Sequence, residues 1–141
     1  MSDRVTNGAA RVRCFCGTTH TSDGFSERDI LTNLEQFARE QEQVRFFIGQ
    51  LEQCPDTGRV HCQWYVQLHN PGTIASLKRK LRRVDERLNT SHLEIAQGSA
   101  DDNIAYCSKE SSRYVPDGTT VDQNAIRVGQ VHRGAGRGAG E

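Results

Sequence analysis

An alternating pattern of polar and apolar side chains runs without a break through eight residues in the middle of the chain. Successive side chains of a β-strand point to opposite faces of a sheet, so a period of two predicts a strand with one face against a core. The chain therefore builds a sheet that helices cover on one side. The two sets are His61, Gln63, Tyr65 and Gln67 against Cys62, Trp64, Val66 and Leu68.

Residues on either side of this strand predict the remaining elements. Ser26 and Asp29 form a capping-box pattern, and apolar residues then recur at three- and four-residue spacing, which predicts a helix. The element order β-α-β-β-α-β-α-β predicts an α+β fold: an antiparallel sheet of about five strands, two long helices on one face and a third helix carrying Tyr106. The predicted strands cover 11–19, 44–52, 59–69, 92–97 and 113–115, and the helices run from 26 to about 41, from about 73 to 88, and from 100 to 110.

The length of 141 residues, 35% of them hydrophobic, is that of one domain with a single core. We divide the chain into a flexible N-terminus (1–10), a folded domain (11–116) and a C-terminal extension with a glycine-rich linker (117–141). The chain contains no phosphate-binding GxxxxGK[ST] loop. Any part that hydrolyses nucleoside triphosphates would therefore lie beyond the linker.

Composition restricts the class of protein. No run of 18 apolar residues and no apolar leader occurs, so we expect no contact with a membrane and a cytosolic or nuclear location. Five cysteines without CxxC spacing disfavour a disulfide framework and a structural zinc site. The net charge is zero, but six basic residues lie between Lys78 and Arg87. They are either a DNA-contacting surface or the solvated side of a helix.

A metal site is predicted where His61 and Gln63 lie side by side on the polar face of the central strand. Glu52 ends the preceding strand, and a short connection can return it beside His61 as a cross-strand partner. One nitrogen and two oxygen ligands suit Mg²⁺ or Mn²⁺ better than zinc. The alternative is an ordinary polar sheet face.

Tyr106 and Lys109 are the second candidate pair. They are three residues apart on the predicted third helix, so both side chains project from the same side. A tyrosine hydroxyl becomes a strong nucleophile only when it loses its proton, and a neighbouring cation favours that loss. The alternative is a tyrosine that packs at a boundary between helix and sheet.

Three motifs occur together in one order along the chain. They are Cys14-Phe15-Cys16-Gly17-Thr18-Thr19, His61-Cys62-Gln63 preceded by Glu52, and Tyr106-Cys107-Ser108-Lys109-Glu110. On these motifs the chain, over about 13–110, resembles the HUH-endonuclease domain of replication initiator (Rep) proteins from circular single-stranded DNA viruses of the circovirus-like kind. Gln63 stands where many relatives have a second histidine, a replacement that this viral group shares.

The resemblance implies a site-specific nicking and joining endonuclease that starts rolling-circle replication. Tyr106 would form a 5′-phosphotyrosine with single-stranded DNA at a stem-loop origin, and Lys109 would assist it. Glu52, His61 and Gln63 would bind Mn²⁺ or Mg²⁺. We further expect a C-terminal helicase domain in the full-length protein, a monomeric isolated domain, and a location in the host nucleus, or in the cytosol if the source is prokaryotic. Candidate DNA-binding residues are Arg11, Arg13, Phe15, Lys78, Arg79, Arg82 and Arg83.

Two other functions fit the same element order. A noncatalytic single-strand-binding module of the RNA-recognition-motif type shares the β-α-β-β-α-β order and displays aromatic side chains on its sheet. Here the central strand offers only Tyr65 beside His61, Gln63 and Gln67, which favours a metal site. A regulatory or scaffolding domain, in which Tyr106 is merely structural, is the other alternative.

Overall fold

The alternating strand lies at the centre of an antiparallel sheet in the computed structural model, which describes residues 10–134. The order of strands across the sheet is β4-β1-β3-β2-β5, and this arrangement with its helices confirms the predicted α+β fold. No helix within this described range is long and apolar enough to cross a membrane. The strands are β1 (Val12–His20), β2 (Val44–Gln53), β3 (Val60–Gly72), β4 (His92–Ile95) and β5 (Ala125–Gly129).

Three α-helices begin at capping boxes, in which a hydroxyl side chain accepts from a backbone N–H and a side chain three residues later accepts in return. The helices are α1 (Glu27–Glu40), α2 (Ile74–Val84) and α3 (Ala100–Tyr106), and their caps are Ser26, Thr73 and Ser99. A 3₁₀ turn, Glu86–Thr90, follows α2 and buries Leu88. These boundaries confirm the predicted starts of all three helices.

One side of the sheet, the helix face, carries the main core. It includes the apolar set of β3, and α1 and α2 pack against it through side chains such as Leu34 and Leu81. Trp64 is its largest buried side chain; its ring stacks on Phe47 with centroids 5.3 Å apart. A Cβ atom on Gly17 would lie 2.1 Å from the Trp64 ring, so only glycine leaves room for the indole.

The other side of the sheet, the tyrosine face, carries the polar set of β3 and is covered only in part. Phe46, Ile48 and Tyr65 form a small cluster there with Cys107, which follows α3. Gln67 donates to the Tyr65 hydroxyl at 2.9 Å and to the carbonyl of residue 132 at 2.9 Å. The alternation therefore divides the side chains of β3 between the two predicted faces of the sheet. The short helix α3 lies against the polar face.

Two predicted elements need correction. Residues 113–115 do not form a strand: Arg113 makes an isolated bridge to Glu52, and Pro116 follows shortly after. The edge of β2 pairs instead with β5, which lies inside the segment assigned to the C-terminal extension. In addition, α3 ends at Tyr106 rather than continuing to residue 110. The N-terminal segment that is predicted to be flexible (1–10), apart from its last residue, and the end of the predicted linker lie outside the described residues.

Candidate active site

Three titratable side chains form a row across neighbouring strands at one end of the tyrosine face. In the sheet register, Glu52 of β2 lies opposite His61 of β3, and His20 of β1 lies opposite His61 on the other side. His61 Nε2 is 3.4 Å from Glu52 Oε1, which confirms the predicted cross-strand pair. His20 was not predicted; its ring centroid lies 5.4 Å from that of His61.

Glu52 is buried, and its carboxylate is surrounded by donors. Lys109 Nζ lies 2.9 Å from Oε1 and 2.8 Å from Oε2, and Gln50 Nε2 donates to Oε2 at 3.1 Å. Burial alone would raise the pKa of Glu52, but hydrogen bonds from His61, Lys109 and Gln50 outweigh it and lower the pKa to about 2. The carboxylate is therefore held in its charged form inside the protein.

Tyr106 lies at the end of α3 with 52% of its surface exposed, which is unusual for a large aromatic residue. Lys109 Nζ is 4.0 Å from the centroid of the Tyr106 ring and donates to the Tyr106 carbonyl at 3.3 Å. The two residues are neighbours, as predicted, but through a turn rather than one helix. The Lys109 ammonium group thus contacts both the tyrosine ring and the Glu52 carboxylate.

Two residues that the sequence analysis missed fix the backbone of this turn. Gln50 Nε2 donates to the Lys109 carbonyl at 2.9 Å, and Arg113 Nη2 donates to the Ser108 carbonyl at 2.8 Å. Arg113 Nε also donates to Gln50 Oε1 at 3.2 Å, so the two side chains support each other. Gln50 could have been found, because it precedes Glu52 by two residues on the same face of a strand.

Gln63 lies on the same face but is engaged in hydrogen bonds. Its Oε1 accepts from Thr18 Oγ1 at 3.1 Å, and its Nε2 donates to the Gly17 carbonyl at 3.2 Å. The amide oxygen keeps a second lone pair, because a carbonyl oxygen can accept twice. The Gln63 amide is therefore oriented by β1.

The donor set fits a hard divalent cation by its chemistry. No group of three His, Cys, Asp or Glu side chains in residues 10–134 is arranged to hold a metal ion, so a site here needs an amide ligand. Glu52, His61 and Gln63 supply one carboxylate, one imidazole and one amide oxygen from adjacent strands, a combination suited to Mg²⁺ or Mn²⁺.

A groove of about 420 Å³ runs from Gln63 to Tyr106 between the sheet and α3. Its wall includes Cys16, whose thiol donates to Asn103 Oδ1 at 3.1 Å. Burial, together with Glu94 and Cys14, raises the pKa of Cys16 to about 11, so this thiol stays neutral and does not act as a nucleophile. Tyr106 also lines this groove, at the side that α3 provides.

The predicted DNA-binding residues do not gather at this groove. Phe15 was predicted wrongly, because its side chain is fully buried in the core of the helix face. Arg11 and Arg13 donate to carbonyls of residues 71 and 69, at the end of β3 far from His61. The four remaining candidates lie on α2, which packs on the helix face: Lys78, Arg79, Arg82 and Arg83.

The fold and site together define a class of domain in which an antiparallel sheet presents an exposed tyrosine beside a buried carboxylate and an imidazole. The family model described as "Putative viral replication protein" matches residues 12–110, and the chain belongs to this family. It is a replication initiator domain of the Rep type, which gives it a role in viral DNA replication. A search of curated proteins found no match.

Proposed function

We propose that this domain nicks and rejoins single-stranded DNA through a covalent bond between Tyr106 and a backbone phosphate. The Tyr106 hydroxyl oxygen forms a bond to phosphorus, and the bond from phosphorus to the 3′ oxygen breaks. The phenol loses a proton and the 3′ oxygen gains one, so the products are a 5′-phosphotyrosine and a free 3′-hydroxyl. Because one phosphoester replaces another, attack by a 3′-hydroxyl reverses the step and joins the strand.

The position of Lys109 carries this proposal. Its ammonium group lies within 3 Å of both Glu52 oxygens and 4.0 Å from the centre of the Tyr106 ring, so positive charge lies beside the nucleophile. Positive charge at that place offsets the negative charge that develops on phosphate during the attack. The exposed ring and the groove give a DNA strand access to the hydroxyl.

We propose Glu52, His61 and Gln63 as the residues that hold Mn²⁺ or Mg²⁺. A bound divalent ion would supply Lewis-acid stabilisation of charge on the scissile phosphate. Gln50 holds the Glu52 carboxylate, and β1 orients the Gln63 amide, so the ligands are fixed before DNA binds. Two neighbouring strands therefore preorganise these side chains, and Gln63 among them lines the groove.

A covalent adduct with DNA is the direct test. The domain is incubated with Mn²⁺ and an oligonucleotide that carries a stem-loop, and protein linked to DNA is detected on a denaturing gel. We expect an adduct with the native chain and none with Tyr106→Phe. Tyr114→Phe is the matched control, because Tyr114 packs partly buried against the core of the helix face. Loss of the adduct in both variants, or in neither, would contradict the assignment of Tyr106.

The same test separates the alternatives. A noncatalytic module of the RNA-recognition-motif type would bind the oligonucleotide without any adduct. That function requires aromatic side chains on the open sheet, but Tyr65 and Phe46 are almost completely buried on the tyrosine face. A scaffolding domain would give neither binding nor an adduct.

The partners follow from the nicking proposal. We propose single-stranded DNA at a stem-loop origin as the substrate, a C-terminal helicase domain in the full-length protein, a monomeric isolated domain and the host nucleus as the location. The basic side chains of α2 would contact the DNA beyond the scissile strand, because they lie on the side of the sheet away from Tyr106. Sedimentation of the isolated domain alone and with the oligonucleotide would test the monomer and the complex.

A further inference from the structure

Both oxygens of the Glu52 carboxylate are occupied by contacts with neighbouring side chains. Lys109 donates to both of its oxygens, Gln50 donates to one of them, and His61 lies 3.4 Å away. The Glu52 side chain is 4% exposed, whereas the Lys109 side chain is 30% exposed. Any cation that binds Glu52 must therefore share the carboxylate with the Lys109 ammonium group or displace it.

Sharing is electrostatically unfavourable. An ammonium group and a divalent ion bound to the same buried carboxylate would lie only a few ångströms apart, where charges repel strongly in a medium of low dielectric constant. Displacement requires little movement of the chain. The Lys109 carbonyl is anchored by Gln50 and the neighbouring Ser108 carbonyl by Arg113, so the flexible side chain can rotate while the backbone stays in place.

The Lys109 ammonium group also contacts Tyr106, and it can keep these contacts when it leaves Glu52. It donates to the Tyr106 carbonyl and lies against the ring of Tyr106, a residue that lines the groove. An ammonium group has three donors and loses two of its partners when it leaves Glu52. Phosphate oxygens in the groove would replace them.

We propose that Lys109 is an exchangeable counter-ion: it occupies the Glu52 carboxylate until a divalent cation displaces it, and it is then delivered to Tyr106 and the scissile phosphate. This inference rests on the proposed function of the site. It gives an order of events, in which metal binding frees the lysine before DNA is cut. By thermodynamic linkage, the lysine weakens metal binding as much as the metal weakens the ion pair.

Binding of Mn²⁺ without DNA tests the exchange. The affinity is measured by electron paramagnetic resonance for the native chain and for Lys109→Met, with thermal melting to show that each is folded. We expect Lys109→Met to bind Mn²⁺ roughly tenfold more tightly, a typical size for coupling between sites. Lys80→Met on α2 is the matched control and should leave the affinity unchanged, while Glu52→Gln should abolish tight binding. Equal or weaker binding by folded Lys109→Met would overturn the proposal.

A second measurement uses the native chain, so it does not depend on the folding of a variant. The Lys109 side chain is followed by nuclear magnetic resonance during a titration with Mg²⁺, and its signal is assigned with Lys109→Arg. We expect a change in environment at Lys109 that saturates together with metal binding. A Lys109 signal that does not move at saturating Mg²⁺, or no binding of either ion, would overturn the exchange. Neither the Mn²⁺ affinity nor the Mg²⁺ titration involves DNA, so the nicking proposal is tested separately by the covalent adduct assay.

Discussion

The two faces of the sheet bury side chains of opposite character. On the helix face, apolar residues such as Trp64 and Val66 pack against two amphipathic helices. On the tyrosine face, Gln50, Glu52 and Gln63 are buried as well, although all three are polar. Strands β1, β2 and β3 each contribute to both faces. The direction in which alternate side chains point thus places an apolar core on one face of the sheet and buried polar side chains on the other.

The buried amides and the buried carboxylate of the polar face are stabilised by hydrogen-bond partners. A buried amide or carboxylate without a hydrogen bond costs a few kcal/mol, and the cost is greater for a charge. Here Gln63 bonds to β1, and Glu52 bonds to Lys109 and Gln50. Substitutions on the helix face should therefore change the free energy of unfolding, and those on the tyrosine face that leave the Glu52 carboxylate charged and paired should mainly change reactivity.

The largest effect on stability is expected for Trp64→Ala. Removing the indole leaves a cavity between β3 and Phe47, and such changes cost about 3 to 5 kcal/mol. The free energy of unfolding is measured by urea denaturation, and adduct yield is measured at a temperature where the variant is folded. We expect stability to fall and the yield per folded molecule to remain. A Trp64→Ala variant that keeps native stability but forms no adduct would contradict the division of roles between the two faces.

Gly17→Ala provides a check on the same contact. The added methyl group would lie 2.1 Å from the Trp64 ring, so this variant should be strongly destabilised. In the double variant with Trp64→Ala the methyl group has space, and the combined loss of stability should be smaller than the sum of the two single losses. Additive losses would show that Gly17 is required for a reason other than the indole.

The next largest effect on stability is expected from acid, which protonates Glu52 on the tyrosine face. Because the pKa of Glu52 is about 2 in the folded protein and the ordinary value is 4.5, protonation favours the unfolded chain. The stabilisation is complete above the ordinary pKa and is lost as the pH falls toward 2, by an amount on the order of a few kcal/mol. We expect the melting temperature of metal-free protein to fall over this range.

Asp85 provides the comparison on the helix side. Its pKa is also lowered to about 2, mainly by a hydrogen bond from Arg87, against an opposing effect of burial. Asp85→Asn and Glu52→Gln should each reduce the dependence of the melting temperature on pH between about 4.5 and 2. Only Glu52→Gln should also abolish Mn²⁺ binding. An unchanged acid profile for Glu52→Gln would contradict the stabilising contacts of that carboxylate.

His61→Ala should have a small effect on stability and a large effect on cleavage. Lys109 and Gln50 still bind Glu52 in this variant, so the loss should be at most about 1 kcal/mol. We expect Mn²⁺-dependent adduct formation to fall to background while the melting temperature changes by only a few degrees. A large drop in melting temperature would mean that His61 belongs to the core, and its assignment as a ligand would be wrong.

The sequence predicted the division of β3 and the pairing of Glu52 with His61, because both follow from the period of a strand and the short connection between two strands. It predicted the helix starts because capping boxes are local. It missed β5, since a short edge strand is defined by its pairing with β2 rather than by its own composition. The ion pair between Lys109 and Glu52 joins residues far apart in the chain, and no local pattern indicates it.

Phe15 shows where a motif misleads. It is a predicted DNA-binding residue in the first of the three motifs, but alternation along β1 directs its side chain to the helix face, with Trp64 and Val66. Cys16 and Thr18 of the same strand point to the other side and line the groove. The motif thus identifies the strand, and alternation along that strand decides which of its side chains reach the groove.

The smallest effect on stability is expected on the outer surface of α2. Arg79 and Arg83 are exposed, and no ion pair holds them in residues 10–134, so changing both to Glu should alter stability by less than about 1 kcal/mol. Because α2 packs on the helix face, adduct yield on a short single strand should be unchanged. With an oligonucleotide that includes the duplex stem, binding should weaken, and the slope of log affinity against log salt should decrease by about 2, one for each lost phosphate contact. An equal loss on both substrates would place these arginines beside the scissile strand, and the two faces would then share the binding of DNA at the nick.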